Sequence, residues 1–299
     1  MSRSTRMVSA ALLAGLSSWA QASILPPNDL YLEDNQEMIA NMTEAEFKEI
    51  IEGVVKQYNE PAAKYKATIR VNALWTNSTV NASAQQMGNS WIINMYGGLA
   101  RRPEVTPDGF ALVVCHELGH HFAGFPFKGS SWAANEGQSD YFATHTCARR
   151  IWGEQKDVNA QFRAQIGEFE KSKCDDAYTV QTDRDLCYRT AAAGFSLANL
   201  LSKLGNAAEP RFDTPDAKKV TKISDSHPAA QCRLDTYFQG ALCGKPYDSM
   251  LIPGKKHARG QGSLQAEQES AKYTCTELDA KEFGLRPTCW FRSRLTLKN

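Results

Sequence analysis

Residues 116–120 read His-Glu-Leu-Gly-His. Positions i and i+4 of a helix share a face, so the imidazoles of His116 and His120 can reach one metal ion. Glu117 falls beside that face, where a carboxylate can take a proton from a metal-activated water. A catalytic zinc takes three protein ligands and keeps one position open. The metzincin pattern would place a third His at position 126 and a Gly at 123. Those positions hold Pro126 and Ala123, which excludes that class. Glu136 and Asp140 follow on the next helix, again at i and i+4. One carboxylate can bind the metal while the other accepts the N–H of a ligating His and fixes its tautomer. The expected centre is one zinc per chain, held by His116, His120 and Glu136. Glu117 would be the general base and Asp140 would support a ligand. His121 points about 100° away from His120 and is read as a residue that supports a ligand or packs, not as a ligand, and His145 lies off the ligand face and is read as structural. Phe122, Phe125 and Phe127 are read as core.

These residues need two adjacent helices. The apolar run Ala111 to Cys115 suits a helix crossing a core, and Thr106-Pro107-Asp108 gives it a cap and a proline at its first position. That helix is expected to end near Ala123. After a Gly/Pro/Phe loop the second is expected over 133–152. Thr43 and Glu46 form a capping box for an earlier helix reaching Tyr58 and ended by Pro61. From Thr68 to Gly98, β-formers alternate with turn residues and predict three or four antiparallel strands. The one at Trp91–Met95 would offer an edge to an extended peptide. Further helices are expected at 158–171, 181–204, 228–242 and 263–273. The fold class is α+β, mainly helical with a small N-terminal antiparallel sheet. Residues 23–42 form an arm, 43–243 the zincin-like domain, and 244–299 a turn-rich segment packed on it.

Arg3 and Arg6 precede the apolar run Met7 to Trp19, and Ala20-Gln21-Ala22 offers a small-x-small cleavage site. This is the pattern of a secretory signal peptide over residues 1–22, cleaved after Ala22, which predicts a secreted or periplasmic protein. No later run reaches the ~20 apolar residues of a membrane helix, so none is expected in the mature chain. The eight cysteines all follow the leader and suit disulfides in an oxidising compartment. Cys232 and Cys243 sit about 16 Å apart along a continuous helix and need different partners. The pairs expected are Cys115–Cys147, Cys174–Cys187 and Cys275–Cys289. With 34 Lys+Arg against 33 Asp+Glu and no basic stripe, a nucleic-acid partner is not expected. Asn41, Asn77 and Asn81 stand in N-x-Ser/Thr sequons, which matter only in a glycosylating host.

The His116–His120 pair with Glu136 and Asp140 resembles the gluzincins, zinc metallopeptidases with one HExxH helix and one Glu helix. Asn135 to Asp140 is similar to the thermolysin-type third-ligand motif. Asn81 to Ala84, the strand at Trp91–Met95, Gly97-Gly98-Leu99 and Ser226-His227-Pro228 with Arg233 resemble the HtpX/CAAX-prenyl-protease family of small gluzincins. The likeness covers roughly 68–242, without the membrane helices of many members. It implies that His227 hydrogen-bonds the oxyanion of a tetrahedral intermediate and that Arg233 positions the site.

The function expected is therefore peptide-bond hydrolysis by a zinc-activated water, with peptide or unfolded protein as substrate. Two other readings are a catalytically silent, chaperone-like peptide binder of the same fold, and a zinc amidase acting on cell-wall crosslinks.

Overall fold

Thr43 caps the first long helix as its spacing to Glu46 demands. In the computed structural model, which describes residues 21–33, 41–129, 132–257, 263–279 and 283–295, both capping-box hydrogen bonds are present. The expected leader lies outside the described residues apart from Gln21 and Ala22.

A strand, β1 (Gln21–Ser23), comes first, followed by α1 (Glu44–Lys56) and α2 (Asn59–Lys64). Helix α1 stops at Lys56, short of the expected Tyr58, and Pro61 does not end it. That proline sits in the first turn of α2, where a backbone N–H has no helical partner to lose. Next come β2 (Thr68–Leu74), β3 (Ala82–Met87), β4 (Ser90–Tyr96), the single turn α3 (Gly97–Ala100) and α4 (Pro107–Phe122). The predicted 133–152 helix divides into α5 (Glu136–Phe142), a π-turn over Ala143–Cys147 and α6 (Ala148–Trp152). The predicted 158–171 helix is likewise two pieces. Helix α7 (Lys156–Ala160) runs into a 3₁₀ turn, and α8 (Glu168–Ala177) restarts after Gly167 with Glu168 and Glu170 at its positive end. Helices α9 (Gln181–Leu204), α10 (Ala230–Leu242) and α11 (Leu264–Ser270) complete the set. Among the described residues no helix is long and apolar enough to cross a membrane.

The sheet is mixed, not antiparallel, with strand order β1-β3-β4-β2 and β2 parallel to β4. Strands β3 and β4 form a hairpin around Gly88, whose φ of +58° suits the tight turn. Residues 75–81 skip one strand position, and β4 later fills it. Arg101 fixes this crossing by donating to the carbonyls of Leu32, Trp75 and Asn77. Gly97 and Gly98 permit it: a Cβ would lie 1.7 Å from Trp75 O and 1.9 Å from Ser78 O, respectively. The expected edge at Trp91–Met95 is also wrong, since β4 is interior and those residues are buried. A continuous apolar run marks a strand covered on both faces, and alternation sets a strand's faces rather than its neighbour. The arm is corrected in part: it opens as β1, paired antiparallel with β3.

Helix α4 is buried on all sides between the sheet, α5 and α9. Disulfides join Cys115 to Cys147 and Cys174 to Cys187 as expected. The others are Cys232–Cys289 and Cys243–Cys275, which overturns the Cys275–Cys289 pairing. Each end of α10 is thus stapled to a different part of the C-terminal segment. That segment packs Trp290 under α5, so close that a Cβ on Gly137 would lie 2.2 Å from its ring. We expect Gly137→Ala to destabilise the fold by about 1–3 kcal/mol through overpacking. Gly53→Ala, in an exposed part of α1 with open space around it, should be neutral or stabilising by up to ~1 kcal/mol. Thermal melts of the two variants check the contrast.

Candidate metal centre

Helix α4 starts where Thr106 accepts a hydrogen bond from Gly109 N–H, and it carries His116, Glu117 and His120 into the core with no exposed surface. Helix α5 starts at Asn135, whose side chain accepts from Gln138 N–H at 3.0 Å and donates to Ser224 O at 2.9 Å. That cap puts Glu136 at the first helical position, facing the two imidazoles. Gly119 allows the helices to meet, since a Cβ there would come within 3.0 Å of the Ser139 backbone. The intervening loop folds back as a short hairpin, with Phe127 opposite Ala134 and Ala134 N–H bonded to His120 O at 2.9 Å.

The hydrogen bonds fix both tautomers. His116 Nδ1–H donates to Asp140 Oδ1 at 2.7 Å, and His120 Nδ1–H donates to the Ala134 carbonyl at 2.9 Å. Both Nε2 atoms then face Glu136, and each presents a lone pair when its imidazole is neutral. His116 Nε2 lies 3.3 Å and His120 Nε2 3.7 Å from Glu136 Oε2. All three atoms are buried and lack a hydrogen-bond partner. A buried polar atom without a partner is costly. Three that converge within 4.8 Å form a group that can hold a metal ion. Two imidazole nitrogens and one carboxylate oxygen are a donor set that suits zinc. Asp216, Cys232 and Cys289 also lie together, but both thiols are committed to their disulfide.

Electrostatics follow from burial and charge. Burial works to raise Glu136, but His120 and His116 hold it well below the usual carboxylate range. Burial lowers His120 to about 4, which keeps it neutral. On His116 burial works downward, and Asp140 and Glu136 outweigh it to give about 9. The carboxylates draw positive charge to this spot. Glu117 is pushed up to about 8 by burial, with His116 opposing and Glu136 adding. Its Oε2 has no partner, while Oε1 accepts the Ile24 N–H at 3.0 Å.

His227 and Arg233 reach the same place from the His-Pro loop and α10. His227 Nε2 donates to the Ser23 carbonyl at 2.8 Å. Burial lowers its pKa, which favours the neutral N–H donor. Arg233 is fully buried. Its Nε donates to Asp140 Oδ2 at 2.7 Å, and other guanidinium nitrogens donate to Asp140 Oδ1, Tyr237 Oη and the Ile24 carbonyl. Although burial works to raise Asp140, Arg233 and His116 hold it below its ordinary value.

All seven residues singled out from sequence therefore meet in one cluster. His121 instead stacks on Trp91 at 5.3 Å, and His145 bonds to Lys245 O at 3.0 Å, both as packing residues. Phe122, Phe125 and Phe127 are core. Three participants were not read from sequence. Lys128 donates to Glu136 Oε1 at 3.0 Å. Asn81 accepts from Leu25 N–H at 3.2 Å. Residues 21–25 themselves lie against the cluster. Lys128 sits in a loop with no spacing rule, and Asn81 stands in a sequon and in the stretch that resembles the small gluzincins, neither of which states its contact with Leu25. No family model, no curated protein and no solved structure matches this chain.

Proposed function

We propose that the protein is an exported zinc metalloendopeptidase. The observation carrying this reading is the convergence of three buried, unpartnered ligand atoms beside Glu117, a buried carboxylate on the same helix as His116 and His120. His116, His120 and Glu136 would hold zinc, which when bound would supply Lewis acidity for water and for a carbonyl. Glu117 takes the proton of the attacking water and delivers it to the leaving amine, a role suited to a carboxyl poised near neutral pH. The neutral His227 N–H donates to the carbonyl oxygen as that oxygen gains charge. Asp140 keeps the His116 lone pair aimed at the metal, and Arg233 holds Asp140 in place. Four disulfides support export to an oxidising compartment, in line with the leader.

Metal analysis of the purified protein and its Glu136→Gln variant tests the centre. Wild type should hold about one zinc per chain, and the variant should retain less than about a tenth of that after dialysis, because a neutral amide is a poor zinc ligand. Casein cleavage by wild type should stop on chelation and return with zinc. A folded wild-type protein that takes up no zinc when zinc is supplied would overturn the assignment.

A further inference from the structure

Strand β1 and the bend at Ile24–Leu25 that follows it lie against the metal centre, and the Ser23 carbonyl, both Ile24 backbone groups and both Leu25 backbone groups have specific partners. Ala22 and Ser23 pair antiparallel with Ala84 and Ser83 of β3. The Ser23 carbonyl receives His227 Nε2–H at 2.8 Å. The Ile24 N–H points to Glu117 Oε1 at 3.0 Å and to Ala82 O at 3.3 Å. The Ile24 carbonyl receives Arg233, and the Asn81 amide meets the N–H of Leu25 at 3.2 Å and its carbonyl at 3.4 Å. The side chains of Ile24 and Leu25 are 2 % and 3 % exposed.

The Ser23–Ile24 peptide bond is thus bracketed by two particular groups. Its oxygen faces the donor suited to a developing oxyanion, and its nitrogen faces the carboxylate suited to protonate a leaving amine. A strand held only for stability would have no need of either. Strand addition to a sheet edge is a general way to bind extended peptides, with the backbone giving affinity and alternate side chains giving selectivity.

We propose that the chain is its own substrate and that the folded molecule hydrolyses the Ser23–Ile24 bond. The inference rests on the peptidase reading above. A water oxygen bonds to the Ser23 carbonyl carbon, and the C–N bond breaks. Glu117 carries the two water protons in turn to the Ile24 nitrogen. The products are a Ser23 carboxylate and an Ile24 ammonium. The same register defines the class of substrate taken from other chains: an extended peptide with small residues before the cut bond and branched aliphatic residues after it. Such a peptide enters once Ile24 and Leu25 vacate their places.

The cut lies one residue beyond the leader boundary at Ala22, so the two origins of a new N-terminus are distinguishable by mass. The full chain is purified in denaturant, refolded under oxidising conditions and given zinc. Intact mass is followed over time for wild type, Glu117→Gln and Ile24→Asp. The mass deficit of four disulfides reports folding in every sample, and casein is added to parallel aliquots. Wild type should convert to a chain starting at Ile24, only with zinc, with a half-time independent of protein concentration. Both variants should stay uncut at this bond. Hydrogen exchange on folded Glu117→Gln should show the Ile24 and Leu25 amides protected. Three results overturn the proposal while leaving the peptidase reading intact: casein cleavage with the Ser23–Ile24 bond persisting, a cut at another bond in its place, or rapid exchange at both Ile24 and Leu25. Zinc uptake with neither casein nor the chain cleaved overturns both.

Discussion

Glu117→Gln should bind zinc as wild type does and cleave casein about 10²–10⁴-fold more slowly. That range is what a positioned general acid–base contributes. The amide keeps the shape of the carboxylate, and its oxygen can still accept the Ile24 N–H. His116, His120 and Glu136 are untouched, so metal content is the internal control. Stability should not fall either. Glu117 is fully buried, and burial pushes it up to about 8, so it is largely neutral at pH 7 and the amide takes away no stabilising charge. The checks are initial rates on casein, zinc per chain and a thermal melt on one preparation. Full activity in Glu117→Gln would remove this residue from the chemistry.

Arg233→Met should produce the largest loss of stability, about 3–5 kcal/mol. Arg233 and Asp140 both have no exposed surface and are joined by a two-point ion pair. Removing one partner of a buried pair leaves the other charge uncompensated, which costs far more than the pair itself contributes. In a chain of this size that corresponds to a fall in Tm of roughly 2 °C for each kcal/mol. Zinc affinity should fall as well, because Asp140 orients His116 only while Arg233 holds it; loss of such a support typically costs 10–100-fold. The double variant Arg233→Met/Asp140→Asn should recover much of the stability and little of the affinity. Melts and zinc titrations of the single and double variants separate the two effects. Equal losses in both variants would show that Arg233 acts by packing alone.

The centre was legible in sequence because its grammar is local. An i, i+4 spacing puts His116 with His120 and Glu136 with Asp140 whatever else the fold does. The caps at Thr43 and Thr106 were legible for the same reason. Non-local choices were not. Nothing near Thr68–Leu74 states that the neighbouring strand will be β4 and parallel, since that depends on a crossing held by Arg101 and two glycines. The burial of β4 on both faces was present in the run Trp91-Ile92-Ile93, which reads as a central strand more naturally than as an edge. Cys275 and Cys289 are close in sequence, yet each is taken by an end of α10. Lys128 and Asn81 reach the cluster through loop geometry, which carries no periodic signal. Residues 21–25 were read only as a leader boundary and an arm, because compositional signals for export say nothing about what a segment touches after folding.

The disulfide pattern sets an order of events during biosynthesis. Cys115–Cys147 and Cys174–Cys187 can close as soon as residue 187 has emerged, which braces α4 and the start of α9 early. Cys232 and Cys243 must wait as free thiols until Cys275 and Cys289 arrive. A bond between the waiting pair would be the nearest error. Helix α10 guards against it: once coiled, it holds the two sulfurs at opposite ends, about 16 Å apart, beyond the reach of a direct bond. Arg233 lies on that helix beside Cys232. The anchoring of its position therefore comes late, and a nascent chain lacks a fully secured centre until synthesis has passed Cys289.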